Sequence, residues 1–145
     1  MSQVIQIGIH ESRGDKVRAM DTVEAVKGKG LVNNRHFKEN NEKKSQITLI
    51  EIENINYYNR ISNTTIPAIS FRRNIITEGI KLNELVGKEF IIGVVRVKAH
   101  DLCRPCKYLE ESLKQKNIVK EFLRKGGLRC EILSSGKIFV GDIIK

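Results

Sequence analysis

Three separate stretches of this chain carry an apolar residue at every second position, and that period constrains the fold more than any other feature. Ile5, Ile7 and Ile9 alternate with Gln6, Gly8 and His10. Val95, Val97 and Ala99 alternate with Arg96, Lys98 and His100. Leu128, Cys130 and Ile132 alternate with Arg129 and Glu131. A period of two belongs to strands with one buried face, so each stretch predicts a β-strand, and the third puts Cys130 on the core side. Gln46 to Ile52 and Lys137 to Val140 are further strand candidates. Short strands parted by Gly, Asn and Ser turns predict a mainly β fold with a few short helices, of the antiparallel β-barrel type.

The helical signals are fewer. Cys106, Leu109 and Leu113 fall at steps of three and four, one stripe of a helix over about Pro105 to Gln115. Ile118, Val119, Phe122 and Leu123 form a second stripe, stopped by Gly126-Gly127. A weaker helix is read over Thr22 to Val26, and another after Ile52, through Asn56 to Arg60. Asn33 to Ser45 is polar and charged and reads as a long surface loop, mobile or a lid; Asn59 to Pro67 is a second loop. No repeat or low-complexity tail divides the 145 residues, so one domain over 1–145 is expected.

Twenty-six basic side chains against 17 acidic ones give a net charge of +9, which favours anionic partners. Part of that charge is ordinary surface: Lys114, Lys116 and Lys120 read as a solvated helix face. No apolar run approaches the roughly 20 residues needed to span a bilayer, and Met1 to His10 alternates rather than forming a signal-peptide core. A cytoplasmic protein without a membrane partner is the expectation. Three cysteines, an odd count, favour reduced thiols over a disulfide framework.

Cys103-Arg104-Pro105-Cys106 is the most informative tetrapeptide. Pro105 disfavours a helical Arg104 and suits the first position of a helix itself. Cys106 then falls in a first turn, where free N–H groups and the helix dipole favour a thiolate, with Arg104 and Lys107 adding positive charge. Four readings stand side by side. The pair could be a redox dithiol, although those usually follow a strand in a βαβ unit and none is legible here. His100, Cys103, Cys106 and Cys130 could hold zinc. Both cysteines could be structural. The fourth reading, one reactive thiolate with a helper, gains from the helix N-terminus.

Several ordered segments resemble the MOSC domain family. Phe71-Arg72-Arg73-Asn74-Ile75-Ile76, Gly79-Ile80, Leu85-Val86-Gly87 and Ile92-Gly93 resemble its central motif, followed by Cys103-Arg104-Pro105-Cys106. Gly127-Leu128-Arg129 through Gly141-Asp142 is similar to the family's closing hairpin. Ile7 to Gly14, Gly28 to Leu31 and Arg35-His36 are similar to its opening segment. The likeness covers Val4 to Ile144. It implies a β-barrel with a few helices and a tie to the molybdenum cofactor (a tungsten form included) or to sulfur carriage.

By resemblance, Cys106 matches a cysteine that ligates molybdenum in amidoxime-reducing relatives. Arg72 and Arg35 resemble arginines that hold the cofactor, and His10 and Glu11 occupy the N-terminal binding segment. Arg73, Asn74 and Arg104 complete the candidate cofactor contacts, because guanidinium forks suit phosphate and oxo anions. Cys103 would be a resolving or supporting thiol. The implied partners are molybdoenzymes or cofactor-biosynthesis proteins, as donor or acceptor. Pyridoxal phosphate chemistry sits in a separate desulfurase domain of the fused relatives and is not expected here. Two departures stand out: Asn33-Asn34 replaces a common Gly-Asp before Arg35-His36, and the extra N-terminal barrel of the amidoxime reducers is absent.

Blander readings accompany each residue. Arg72 or Arg73 could cap a strand edge or pair with Glu84 or Glu89. Asn74 suits a turn, His10 the polar strand face, His36 a loop surface, and Gly141-Asp142 a strand-end turn. Two rival functions remain at this stage: a cofactor-dependent reductase of small N-oxygenated substrates, and a basic barrel stacking nucleic-acid bases on Tyr57, Tyr58 and Phe71.

Overall fold

The computed structural model describes residues 2–12, 16–104 and 107–145. Pro105 and Cys106 therefore lie outside the described residues, as do Arg13 to Asp15. The described residues form β1 (Gln3–Ile9), β2 (Arg18–Met20), β3 (Thr22–Val26), β4 (Gly30–Leu31) and β5 (Ile47–Glu51). Helix α1 (Ile52–Ser62), β6 (Ile75–Glu78), β7 (Glu89–Ile92) and β8 (Val95–Leu102) follow. The chain continues through α2 (Lys107–Leu113), α3 (Ile118–Glu121), β9 (Leu128–Ile132) and β10 (Gly136–Phe139). The mainly β expectation holds, with three short helices among the described residues.

Seven strands make one curled sheet in the order β2-β1-β6-β5-β9-β8-β7, and β10-β3-β4 make a second. The C-terminal segment spans the mouth of the large sheet: Gln3 bridges Ile143 and Ile92 bridges Ile144. Main-chain bonds from Gly93 to Ile143 (2.9 Å) and between Ile91 and Lys145 (3.2 and 2.9 Å) secure it. Such closure satisfies donors and acceptors that a bare sheet edge would leave unpaired.

Alternation explains the inner core. Val4, Ile7, Ile9, Leu49, Ile75, Val95, Val97, Ala99, Leu128, Cys130 and Ile132 face the hollow of the large sheet, and Val23, Ala25, Leu31 and Ile138 of the small sheet fill it. The other face carries a separate core, in which Ile50 and Ile76 pack with Ile55, Tyr58, Phe71, Leu109, Ile118 and Phe122 from the helical side. The sheet is therefore buried on both sides over part of its width and bears polar residues over the rest.

Several expectations need correction. Thr22 to Val26 is a strand, not a helix: Val23 and Ala25 are buried while Glu24 is exposed, and the segment pairs with β10. Ile5 does not share the inner face with Ile7 and Ile9, because a register shift between Val4 and Gln6 sends it to the helical-side core. The sheet is not wholly antiparallel, since β5 and β6 run parallel with α1 as their crossover, the βαβ unit that was not legible. Of the second apolar stripe, Ile118 and Phe122 are buried, but Val119 and Leu123 face outward. The Asn33 to Ser45 segment is a largely exposed loop, as expected, fastened at two points: Asn34 and Asn41 are buried, Asn41 bonds the Lys29 and His36 carbonyls, and Gln46 bonds the Asn41 carbonyl. Tyr58 and Phe71 are buried in the helical-side core, so neither offers a face for stacking bases.

Gly127 closes the turn into β9 with φ +99°, and a β-carbon there would sit 1.7 Å from the Leu49 carbonyl oxygen. Both strain and backbone collision oppose any side chain. Gly127→Ala is expected to cost about 3 kcal/mol or more in urea unfolding; a loss under about 1 kcal/mol would show that the β5–β9 contact relaxes freely.

Candidate functional site

The site begins with one extra residue in β8. Ala99 pairs with Cys130, yet Asp101 pairs with Arg129 and Leu102 with Leu128, so His100 is the inserted residue of a bulge. Up to Ala99 the odd-numbered residues face the inner core. After the bulge the phase inverts: Leu102 packs on the inner core, and Asp101 meets Arg129 on the outer face. Cys103 follows on that outer side, anchored by its N–H on the Gly127 carbonyl at 2.7 Å.

Charged groups converge there. Arg129 grips Asp101 through both nitrogens of a fork, the Nε–Oδ1 distance being 2.9 Å. Lys44 adds a 3.2 Å contact to the same carboxylate. The Arg129 hydrogen bond holds the Asp101 carboxyl below the usual carboxylate range. Arg73 donates from Nε to the Gly126 carbonyl at 2.9 Å and from Nη1 to the Phe71 carbonyl at 3.3 Å. Gly126 lets the Cys103 backbone pass close by, since a β-carbon there would lie 2.6 Å from the Cys103 carbonyl oxygen. Beside the strip, His100 Nε2 lies 2.9 Å from Glu131 Oε1, both side chains being about one-fifth exposed (19%).

Cys103 is buried, and burial pushes its thiol above the ordinary range, ahead of the opposing pull of Arg73 and Arg129. It is a neutral thiol at pH 7, suited to supporting a neighbour rather than attacking. Cys130 is sealed in the inner core and shifted upward as well, for the same reason. The zinc reading loses Cys130 on this ground, and among the described residues no three metal-ligating side chains converge.

Cys103 and Arg104 open on a groove of about 690 Å³, lined also by Val86, Asp101, Leu102, Val119, Leu123 and Arg124. A second cluster sits at the end of β1. His10 is buried, its N–H bonds Asn34 Oδ1 (3.1 Å), and its carbonyl accepts from the Arg35 N–H (2.7 Å). Its ring meets His36 edge-on at 6.3 Å. Burial, then Arg35 and Lys38, push His36 below its usual range, so it is uncharged at pH 7.

Asn74 joins the strands between the two clusters. Its Oδ1 accepts from the Thr48 N–H and hydroxyl, and its Nδ2 donates to the Gly8 carbonyl. Arg72 takes a left-handed backbone (φ 65°) at the end of the Ala68–Phe71 turn, a conformation rarely held without reason. Glu11 is exposed and pairs with Arg18 at 2.8 Å. The structure thus brings Cys103, Arg73 and Arg104 to one place and His10, Arg35 and His36 to another. Cys106, the central candidate, lies outside the described residues. The sequence reading missed Arg129, Asp101 and Lys44. The alternation that put Cys130 inward already required Arg129 to face out, but nothing in the sequence marked the bulge.

The two buried thiols make stability fall in alkali. In the unfolded chain each ionises near 9.0, while the folded chain keeps both protonated beyond that value. Their contribution is complete below pH 9.0 and lost as pH rises above it. Cys130→Ala should therefore flatten the decline in unfolding free energy between about pH 9 and pH 10.5; a slope identical to that of the unchanged chain would contradict the burial of Cys130.

Comparison with known proteins agrees with this geometry. No functionally curated protein matches the sequence. The crystal structure of YuaD from Bacillus subtilis superposes with a TM-score of 0.87 at 18% identity, covering 99% of this chain and 94% of that one. YiiM from Geobacillus stearothermophilus gives 0.81 at 17% identity, covering 99% and 74%. YiiM from Escherichia coli gives 0.74 at 15% identity, covering 100% and 69%. At such identities these likenesses establish the fold. The model of the MOSC domain family matches residues 32–145, from the buried Asn34 through the Cys103 groove to the closing C-terminal segment, and the chain belongs to that family.

Proposed function

We propose that this protein holds the molybdenum cofactor, or a persulfide sulfur, on Cys106 and delivers it to an acceptor, a molybdoenzyme or a cofactor-biosynthesis protein. Membership of the MOSC family fits a role tied to that cofactor. The observation that carries the proposal is the convergence of Arg73 and Arg129 on Cys103, which together with Arg104 lines a groove of about 690 Å³. Cys106 follows Arg104 by two residues in the sequence.

The donor set suits the cofactor. A pterin dithiolene with a phosphate and an oxo-metal centre is anionic, and guanidinium groups on a partly desolvated surface favour such a group. Arg73 and Arg104 would face it, with Arg72 next to Arg73 in the chain, and the separate cluster at the end of β1 would add Arg35 and the neutral ring of His36. Asn74 would act indirectly: its amide is spent on Thr48 and Gly8, so it fixes the strands that carry Arg73 and His10. Glu11, an exposed acid paired with Arg18, contributes least to an anionic ligand. When bound, the cofactor supplies a two-electron redox centre with room for a terminal sulfur. The chain would supply the Cys106 sulfur, with the guanidinium groups of Arg73 and Arg104 and the protonated Cys103, which precedes Cys106 by three residues in the sequence. In the sulfur-carrier form, an acceptor nucleophile takes the outer sulfur atom and Cys106 departs as the thiolate.

Protein made in a host that synthesises the cofactor and purified without oxygen tests the proposal. Molybdenum or tungsten with pterin fluorescence, or cyanide-labile sulfur, is expected in stoichiometric amount and should fall to background in Cys106→Ala while persisting in Cys130→Ala. Equal loading in Cys106→Ala, or no metal, pterin or labile sulfur in the unchanged protein, would overturn it.

A further inference from the structure

The far wall of the groove is built of residues that neither the fold nor the cofactor reading requires. Val86, Val119 and Leu123 are exposed by 41%, 37% and 65%, and together with Leu102 they line one concavity. Val119 and Leu123 lie on the helical stripe of Ile118 and Phe122 but turn away from the core those two residues enter. Three exposed apolar side chains gathered in a hollow are a cost in water unless something covers them. The volume, about 690 Å³, is that of a small-molecule site.

The charge of the rim narrows the occupant. Asp101, the one carboxylate among the described lining residues, is already held by Arg129 and Lys44. Arg104 and Arg124 are exposed on the same groove, and neither has an ion-pair partner among the described residues. Arg124 is further placed by a left-handed backbone (φ 65°) and by its carbonyl, which accepts from Asn83 Nδ2 at 2.7 Å. An apolar lining that shares one groove with two uncompensated guanidiniums complements a molecule with an apolar body and one anionic end.

We infer that this groove binds a small organic anion with an apolar body, of the aromatic or branched aliphatic carboxylate class, its carboxylate toward Arg104 and Arg124 and its body against Val86, Val119 and Leu123. The inference goes beyond the cofactor reading and stands without it. Arg104 borders both regions, so Arg124 is the discriminating residue.

The probe is 2-naphthoate, with 2-naphthamide as its uncharged counterpart, titrated into the full chain and followed by amide chemical shifts. Saturable binding of naphthoate is expected, with shifts centred on Leu102, Arg104, Val119 and Leu123, and about tenfold weaker binding of the amide, as for one lost charge-assisted contact. Arg124→Gln should weaken naphthoate by about tenfold and leave the amide unaffected, whereas Leu123→Ser should weaken both. Cys106→Ala should bind naphthoate unchanged, and Arg124→Gln should retain its molybdenum or labile sulfur, so that the two readings fail separately. Equal affinity for naphthoate and naphthamide, shifts mapping elsewhere, or binding only of an acidic peptide would overturn the inference.

Discussion

A single inserted residue in β8 governs what this fold presents to solvent. Without the bulge at His100, the alternation of Val95, Val97 and Ala99 would carry Asp101 and Cys103 into the hollow of the barrel. Neither a carboxylate nor a guanidinium partner is tolerated there without large desolvation cost. The bulge instead sends Leu102 inward and sets Asp101 against Arg129 on the outer face, leaving Cys103 at the strand end beside Arg73. The charged strip, the neutral thiol and the groove all depend on that change of phase.

The strip matters because it lies beside, not within, the helical-side core. Tyr58, Phe71 and Phe122 stack at 5.0 to 6.4 Å between ring centres and give that layer its rigidity. The Arg73 side chain is pinned between the Phe71 and Gly126 carbonyls, so its charge is fixed in place before any ligand arrives. Preorganised charge of this kind favours an anionic group without a fresh ordering cost. Asp101 neutralises Arg129 locally, which leaves Arg104 and Arg124 as the cations lining the groove that have no ion-pair partner among the described residues, while Arg73 acts on Cys103.

Much of this was legible in the sequence where the period was regular. β8 up to Ala99 and β9 with its inward Cys130 follow directly from spacing, and the helix read after Ile52 through Asn56 to Arg60 is α1. The failures sit where the period breaks or is short. Ile5 was misplaced by the bulge in β1, and Thr22 to Val26 is too brief to separate a helix from a strand by composition. Val119 and Leu123 were read in one helical stripe with Ile118 and Phe122, and a stripe of four apolar residues does not show which half is covered. Cys103 and Arg104 were found from the tetrapeptide itself, while Asp101 and Arg129 became visible only once the register of β8 against β9 was known.

The most direct test of this account challenges the two residues that follow the bulge, with urea unfolding as the readout. With the bulge in place Asp101 faces outward against Arg129 and Leu102 packs on the inner core. Asp101→Ala should therefore unfold cooperatively with a loss of about 1 kcal/mol, whereas Leu102→Asp, which sets a carboxylate against the inner core, should lose about 3 kcal/mol or more. A chain that tolerates Leu102→Asp as well as Asp101→Ala would contradict the claim that the bulge sets the phase of the strand end.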